Sequence, residues 1–231
     1  MKHAVATSEE SVREIAVKYC TKRNGHYPQG LCWIPVALDG KVDDRYYIRI
    51  CNDFGRLVCF LMYGCQPIRV IHHSDHRPDH EKVAGLILKR LPKALNGFLD
   101  EIMELSFLGF KKDDSFKANF GMRLDFEGGV MKIHCLEVGE EIHYGIDVIP
   151  DGVTEKNYEN YGEFGVGNGC GSFKEALVRF YADDCRMGRG WSRDVARFVK
   201  MLPGNLKDWM ARNEKNFTVR HSDYYEKRAK A

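Results

Sequence analysis

The stretch Phe120-Gly-Met-Arg-Leu-Asp-Phe-Glu127, Gly128-Gly129, Val130-Met-Lys-Ile-His-Cys-Leu-Glu-Val138, Gly139-Glu140, Glu141-Ile-His-Tyr-Gly-Ile-Asp-Val-Ile149 decides the fold. Three alternating runs joined by two tight glycine turns predict an antiparallel meander. Two-residue turns fix register. With Gly128-Gly129 as the first turn, Phe126 pairs with Met131, Leu124 with Ile133 and Met122 with Cys135. With Gly139-Glu140 as the second, Cys135 pairs with Tyr144, Ile133 with Ile146 and Met131 with Val148. Nearly every residue so placed on one face is apolar. The other face carries Arg123, Asp125, Lys132, His134, His143 and Asp147. Asp125, Lys132 and Asp147 form one cross-strand row, with Arg123 and His134 in the next. The expectation is a solvated face with weak opposite-charge pairs, because antiparallel sheets commonly bury one side only. A binding or catalytic surface, with His134 or His143 beside a carboxylate, is the sharper alternative.

The rest of the chain repeats the theme loosely. Thr7 and Glu10 fit a capping box ahead of Val12, Ile15, Ala16 and Tyr19, and Asn24-Gly25 stops that helix. Leu31–Leu38 reads as a strand, demoted to an edge by Pro35. Asp39-Gly40 turns the chain. Arg45–Cys51, Arg56–Tyr63 and Pro67–His73 follow as further strands. Pro78 suits the first turn of a helix with Val83, Leu86, Ile87 and Leu91 inward, and Pro92 is expected to end or kink it. Leu95, Phe98, Leu99, Ile102 and Met103 give a second stripe. Lys111–Ser115 reads as a linker. Antiparallel strands alternating with separate helices predict an α+β fold, meanders packed with helices and a helical C-terminal portion. The expected division is an α+β body over 1–171 and a basic helical portion over 172–231, together one compact domain.

At 231 residues the chain can bury a core without disulfide or metal support. Its 44% hydrophobic and 29% charged content is that of a soluble globular protein. No apolar run reaches the roughly 20 residues of a membrane span, and no signal-peptide core opens the chain, so a cytoplasmic protein is expected. The eight cysteines include no Cys-x-x-Cys pair and are expected as free thiols. Net charge is only +2, yet from Arg186 onward twelve Lys and Arg face five Asp and Glu. A basic tail on a mildly acidic body suggests an anionic partner.

Three stretches contain residues suited to chemistry. His72–His80 holds four imidazoles and two carboxylates in nine residues, a ligand set for zinc or a similar cation, with His73, Asp75, His76 and His80 as the candidate ligands. The string resembles the His-x-His-x-Asp-His motif of metallo-β-lactamase-like hydrolases, with His73, Asp75 and His76 in register. Ile71 stands where the first histidine belongs, so no membership is assigned. Gly167, Gly169, Gly171 and Ser172 run into a helix start and suit a phosphate, although the pattern matches neither common phosphate-loop fingerprint. Arg186, Arg189, Arg193, Arg197, Lys200 and Arg212 lie off the apolar stripe of the C-terminal helices, with aromatic side chains interleaved further on. The leading expectation is a non-enzymatic binding protein for nucleic acid or an acidic protein surface. The alternatives are a metal-dependent hydrolase or nuclease using the histidine cluster, and a protein-interaction or inhibitor module.

Overall fold

The structure, a computed structural model, describes residues 2–53, 56–74, 79–115, 120–138, 141–153, 164–166, 171–185 and 193–217. It is an α+β fold with two antiparallel sheets, their strands ordered β1-β2-β3-β4-β5 and β10-β9-β8-β7-β6. The chain clusters into two compact units. The first holds Met1–Met103, Lys117–Phe120 and Cys135–Ile142, and the second holds Glu104–Phe116, Gly121–His134 and His143–Ala231. The helices after residue 172 therefore share a unit with most of the second meander.

In the first unit β1 (Val5–Thr7) leads into α1 (Glu9–Cys20), then β2 (Gly30–Leu38), β3 (Lys41–Asp53), β4 (Arg56–Tyr63), β5 (Gln66–Ser74) and the start of α2 (His80–Phe107). The cap of α1 is Ser8, whose hydroxyl accepts from Ser11 N, and not Thr7. Thr7 belongs to β1, and its hydroxyl donates to the Pro35 carbonyl instead. Asn24-Gly25 is not the helix stop. Both residues have positive φ and close a tight turn between Arg23 and His26, four residues beyond the end of α1. Asp39 and Gly40, at φ 50° and 80°, make the hairpin turn that an Asp-Gly pair favours.

β2 is not an edge strand along its whole length. β1 covers Val36–Leu38, and Pro35 sits where the β2–β3 register shifts, a position that spares the sheet its missing N–H. β4, an interior strand between β3 and β5, is buried on both faces from Leu57 to Met62. α2 begins at His80, with Asp79 capping it by accepting from Glu81 N and Lys82 N. Pro92 neither ends it nor divides it into a pair: the helix runs on for 28 residues. Val83, Ile87, Leu91, Leu95 and Phe98 form one continuous buried stripe across the proline.

The second unit holds β6 (Lys111–Lys112) paired with β7 (Gly121–Phe126), the larger part of β8 (Gly129–Val138) and of β9 (Glu141–Pro150), and β10 (Phe164–Val166). The residues expected as a linker thus begin with a strand. Helical segments follow: α3 (Phe173–Arg179), a wide π-type turn over Phe180–Cys185, α4 (Arg193–Met201) and α5 (Gly204–Phe217). The first meander turn is Glu127-Gly128, because Phe126 pairs with Gly129 and Leu124 with Met131. The register is two residues from the expected one. A shift of two preserves the faces, so Met122, Leu124, Met131, Ile133, Tyr144, Ile146 and Val148 are buried as patterned. Tyr144 meets the ring of Phe173, and Phe126 that of Phe198, which places α3 and α4 on this apolar face. The second expected turn, Gly139-Glu140, lies outside the described residues.

Candidate functional site

The opposite face of the second meander is not solvated at its centre. Lys132, His134 and Asp147 are only 7%, 4% and 1% exposed. Strand alternation sends all three to this side. The shifted register also revises the rows, setting Arg123 opposite Lys132 and Asp125 opposite Val130. Asp125 stays exposed and holds Arg123, with 2.6 Å between Arg123 Nη2 and Asp125 Oδ1.

The buried groups form two pairs. Lys132 Nζ lies 3.5 Å from Asp113 Oδ2 and donates to Ser115 Oγ at 3.3 Å. Asp113 Oδ1 accepts from Ser115 N at 2.9 Å and from its hydroxyl at 2.6 Å. Burial pushes the Asp113 carboxyl up, but the Ser115 hydrogen bonds and the Lys132 ammonium outweigh it and hold the group below the usual carboxylate range. In the second pair His134 Nδ1 is 3.2 Å from Asp147 Oδ2. The contact is close enough for an ion pair but is not aligned as a hydrogen bond, and among the described residues neither Asp147 oxygen has a hydrogen-bond partner. Gly145 makes room for this histidine: a Cβ there would stand 2.6 Å from His134 Nε2. That proximity agrees with the expected pairing of Cys135 with Tyr144, which puts Gly145 opposite His134. Buried charges of this kind are costly when one partner is lost, so they also pin the register of the strands that carry them.

A third buried carboxylate stands at the start of α3. Ser172 caps the helix by accepting from Glu175 N, and Glu175 reaches back to accept from Gly171 N at 2.8 Å while pairing with Arg179 at 3.0 Å. The arrangement is close to a capping box, with Glu175 bonded to the N–H one residue ahead of the Ser172 cap. Of the candidate phosphate loop, Gly167 and Gly169 lie outside the described residues. The Gly171 N–H already donates to the Glu175 carboxylate, which would repel a phosphate.

The basic candidates separate by position. Arg186 and Arg189 lie outside the described residues. Arg193 opens α4, with its side chain outside the description. Arg197 and Lys200 on α4 and Arg212 on α5 are exposed. Among the described residues none of these three forms an ion pair with a carboxylate. Arg212 Nε donates instead to the Asp208 carbonyl, and Lys207 Nζ to the Lys200 carbonyl. The other side of the same helices is buried through Phe198, Leu202, Leu206, Trp209 and Met210. Trp209 anchors it, its indole N–H donating to Glu104 Oε1 at 2.7 Å, and Glu104 also pairs with Lys174.

The histidine cluster is only partly described. His73 is exposed on β5 while His72 turns inward, as alternation requires. His80 opens α2, 3.8 Å from a Glu81 oxygen. Asp75, His76 and Pro78 lie outside the described residues. Among the described residues no group of three or more His, Cys, Asp or Glu side chains is placed to hold a metal ion. Cys20, Cys32, Cys51, Cys59, Cys65 and Cys135 are free thiols. No described helix is long and apolar enough to cross a membrane.

Sequence reasoning missed Asp113 and Ser115, taken for linker, and the pairing of Arg69 with buried Glu101 between β5 and α2. The first had a readable trace: Asp-x-Ser is a common local hydrogen-bonded turn. Gly145, a break in the β9 alternation, was likewise readable as a point of close approach. No known protein family, curated protein or solved structure matches the chain.

Proposed function

We propose that this chain is a cytosolic binding protein for a polyanion, nucleic acid by class, and that α4 and α5 carry the contact. The observation that supports this is the exposure of Arg197, Lys200 and Arg212, unpaired with carboxylates among the described residues, on helices whose other side is buried. Six Lys and Arg face three Asp and Glu between residues 193 and 217. Exposed cations on rigid helices gain by neutralising phosphates and releasing their counterions. The Gly171–Ser172 helix start is left out of this reading, because Glu175 already occupies it.

Charge reversal tests the proposal. The combined variant Arg197→Glu, Lys200→Glu, Arg212→Glu should keep the circular dichroism of the parent and bind a fluorescent single-stranded oligonucleotide at least about tenfold more weakly at low salt. Equal affinity in variant and parent would remove α4 and α5 from the interface. An acidic protein surface is the competing ligand, and preference for a polyglutamate probe over the oligonucleotide would favour it.

A further inference from the structure

We infer that the outer edge of β2, from Gly30 to Ile34, pairs antiparallel with the same edge of a second copy of this chain. This stands independently of the nucleic-acid reading. β1 covers only Val36–Leu38. Ahead of that point β2 has β3 on its inner side, and among the described residues no strand on its outer side. The direction of its backbone groups follows from one hydrogen bond. Thr7 Oγ1, on the β1 side, donates to the Pro35 carbonyl at 2.8 Å, so the polar backbone of Pro35 faces outward. In an antiparallel strand the N–H and C=O of one residue point the same way and alternate along the chain. Leu31 and Trp33 therefore also turn their N–H and C=O outward.

Natural edges of this kind are guarded by lysines, prolines, bulges or shortness. Here Pro35 and the register shift beside it close one end. Gly30-Leu-Cys-Trp-Ile34 contains no charged residue. Leu31 and Trp33 are 52% and 42% exposed on the face away from α1, whose Tyr19 meets Cys32 on the other side.

The spacing selects the occupant. An antiparallel self-pairing with its two-fold axis at Cys32 sets Leu31 against the partner's Trp33 and Trp33 against the partner's Leu31. Both are outward-facing residues, so each pair exchanges two backbone hydrogen bonds, and the apolar side chains of the two copies lie together on one face. Such an interface is isologous and closes as a dimer. A polyanion is not favoured at this edge. Arg49, opposite Trp33 on β3, lies over the rings of Phe60 and Trp33 at 4.7 and 5.9 Å and is paired with Glu137.

Sedimentation velocity of the full chain from micromolar to millimolar concentration tests the inference. A monomer–dimer equilibrium is expected, abolished by Leu31→Lys with Trp33→Lys. A second measurement does not depend on those variants. In a Cys65→Ser background, diamide should join two chains through Cys32, which faces its own copy at the axis, and Cys32→Ser should remove that product. A chain that stays monomeric at millimolar concentration, a dimer indifferent to the paired lysines, or cross-linking that survives Cys32→Ser overturns it. Oligonucleotide binding retained by the monomeric variant separates this result from the fate of the proposed polyanion site.

Discussion

At Gly129 the backbone holds φ +133°, and a Cβ would stand 2.2 Å from the Ile149 carbonyl oxygen. Only glycine fits there, which is why the turn settles on Glu127-Gly128 and leaves Gly129 in the strand. The double glycine announces a turn in the sequence, but which glycine serves the turn and which the close approach depends on a strand twenty residues later. His72 is a second residue whose surroundings decide its chemistry. It is 7% exposed, and among the described residues neither ring nitrogen has a hydrogen-bond partner. Burial, then the charges of Arg90 on α2 and His73 on its own strand, push its pKa below the usual histidine value. The unfolded chain therefore takes the proton first. Stability contributed by neutral His72 is present above about pH 6.5 and is lost as pH falls through that value toward the lower folded one. His72→Leu should flatten the pH dependence of stability below about pH 6.5 and raise stability more at pH 5 than at pH 8, read by urea denaturation. An unchanged slope would show that His72 does not carry this dependence.

Among the elements, α2 departs most from expectation. A proline inside a helix removes one backbone hydrogen bond and costs about 3 kcal/mol or more. The stripe from Val83 to Phe98 offsets that, since each fully buried large apolar side chain contributes about 1.5–3 kcal/mol. Pro92→Ala should therefore raise the unfolding free energy read by urea denaturation, by up to about 3 kcal/mol less whatever the helix has already relaxed. No gain would mean that the proline is fitted to its site. The same contest explains what could be read in advance. The apolar face of the second meander, the Asp39-Gly40 turn and the helix start at Ser172 follow from local pattern and were legible; the faces of the first sheet were not, because β4 is buried on both sides. The path of α2 through Pro92, the three-residue β1 and the pairing of Asp113 with Lys132 depend on what packs across them, and no local pattern encodes that. The ionic face of the second meander was legible as a face. Its burial was not, because the alternation of a strand gives the side a residue points to but not what covers it.

Over the whole molecule charge is segregated. A net of +2 conceals a chain whose last stretch, from Arg186, carries twelve cationic residues against five acidic ones. The buried acids are largely matched from within: Asp113 by Lys132, Glu175 by Arg179, and Glu101 by Arg69. Arg197 and Lys200 of α4 and Arg212 of α5 are left facing outward. This arrangement makes the proposed partner an electrostatic one, and salt reads electrostatics directly. The logarithm of the association constant for a single-stranded oligonucleotide should fall linearly with the logarithm of salt concentration. Contacts from Arg197, Lys200 and Arg212 should together supply a slope of about −2 that is absent in the charge-reversed protein. An association constant independent of salt, or one whose slope is the same with and without those three residues, would contradict the account.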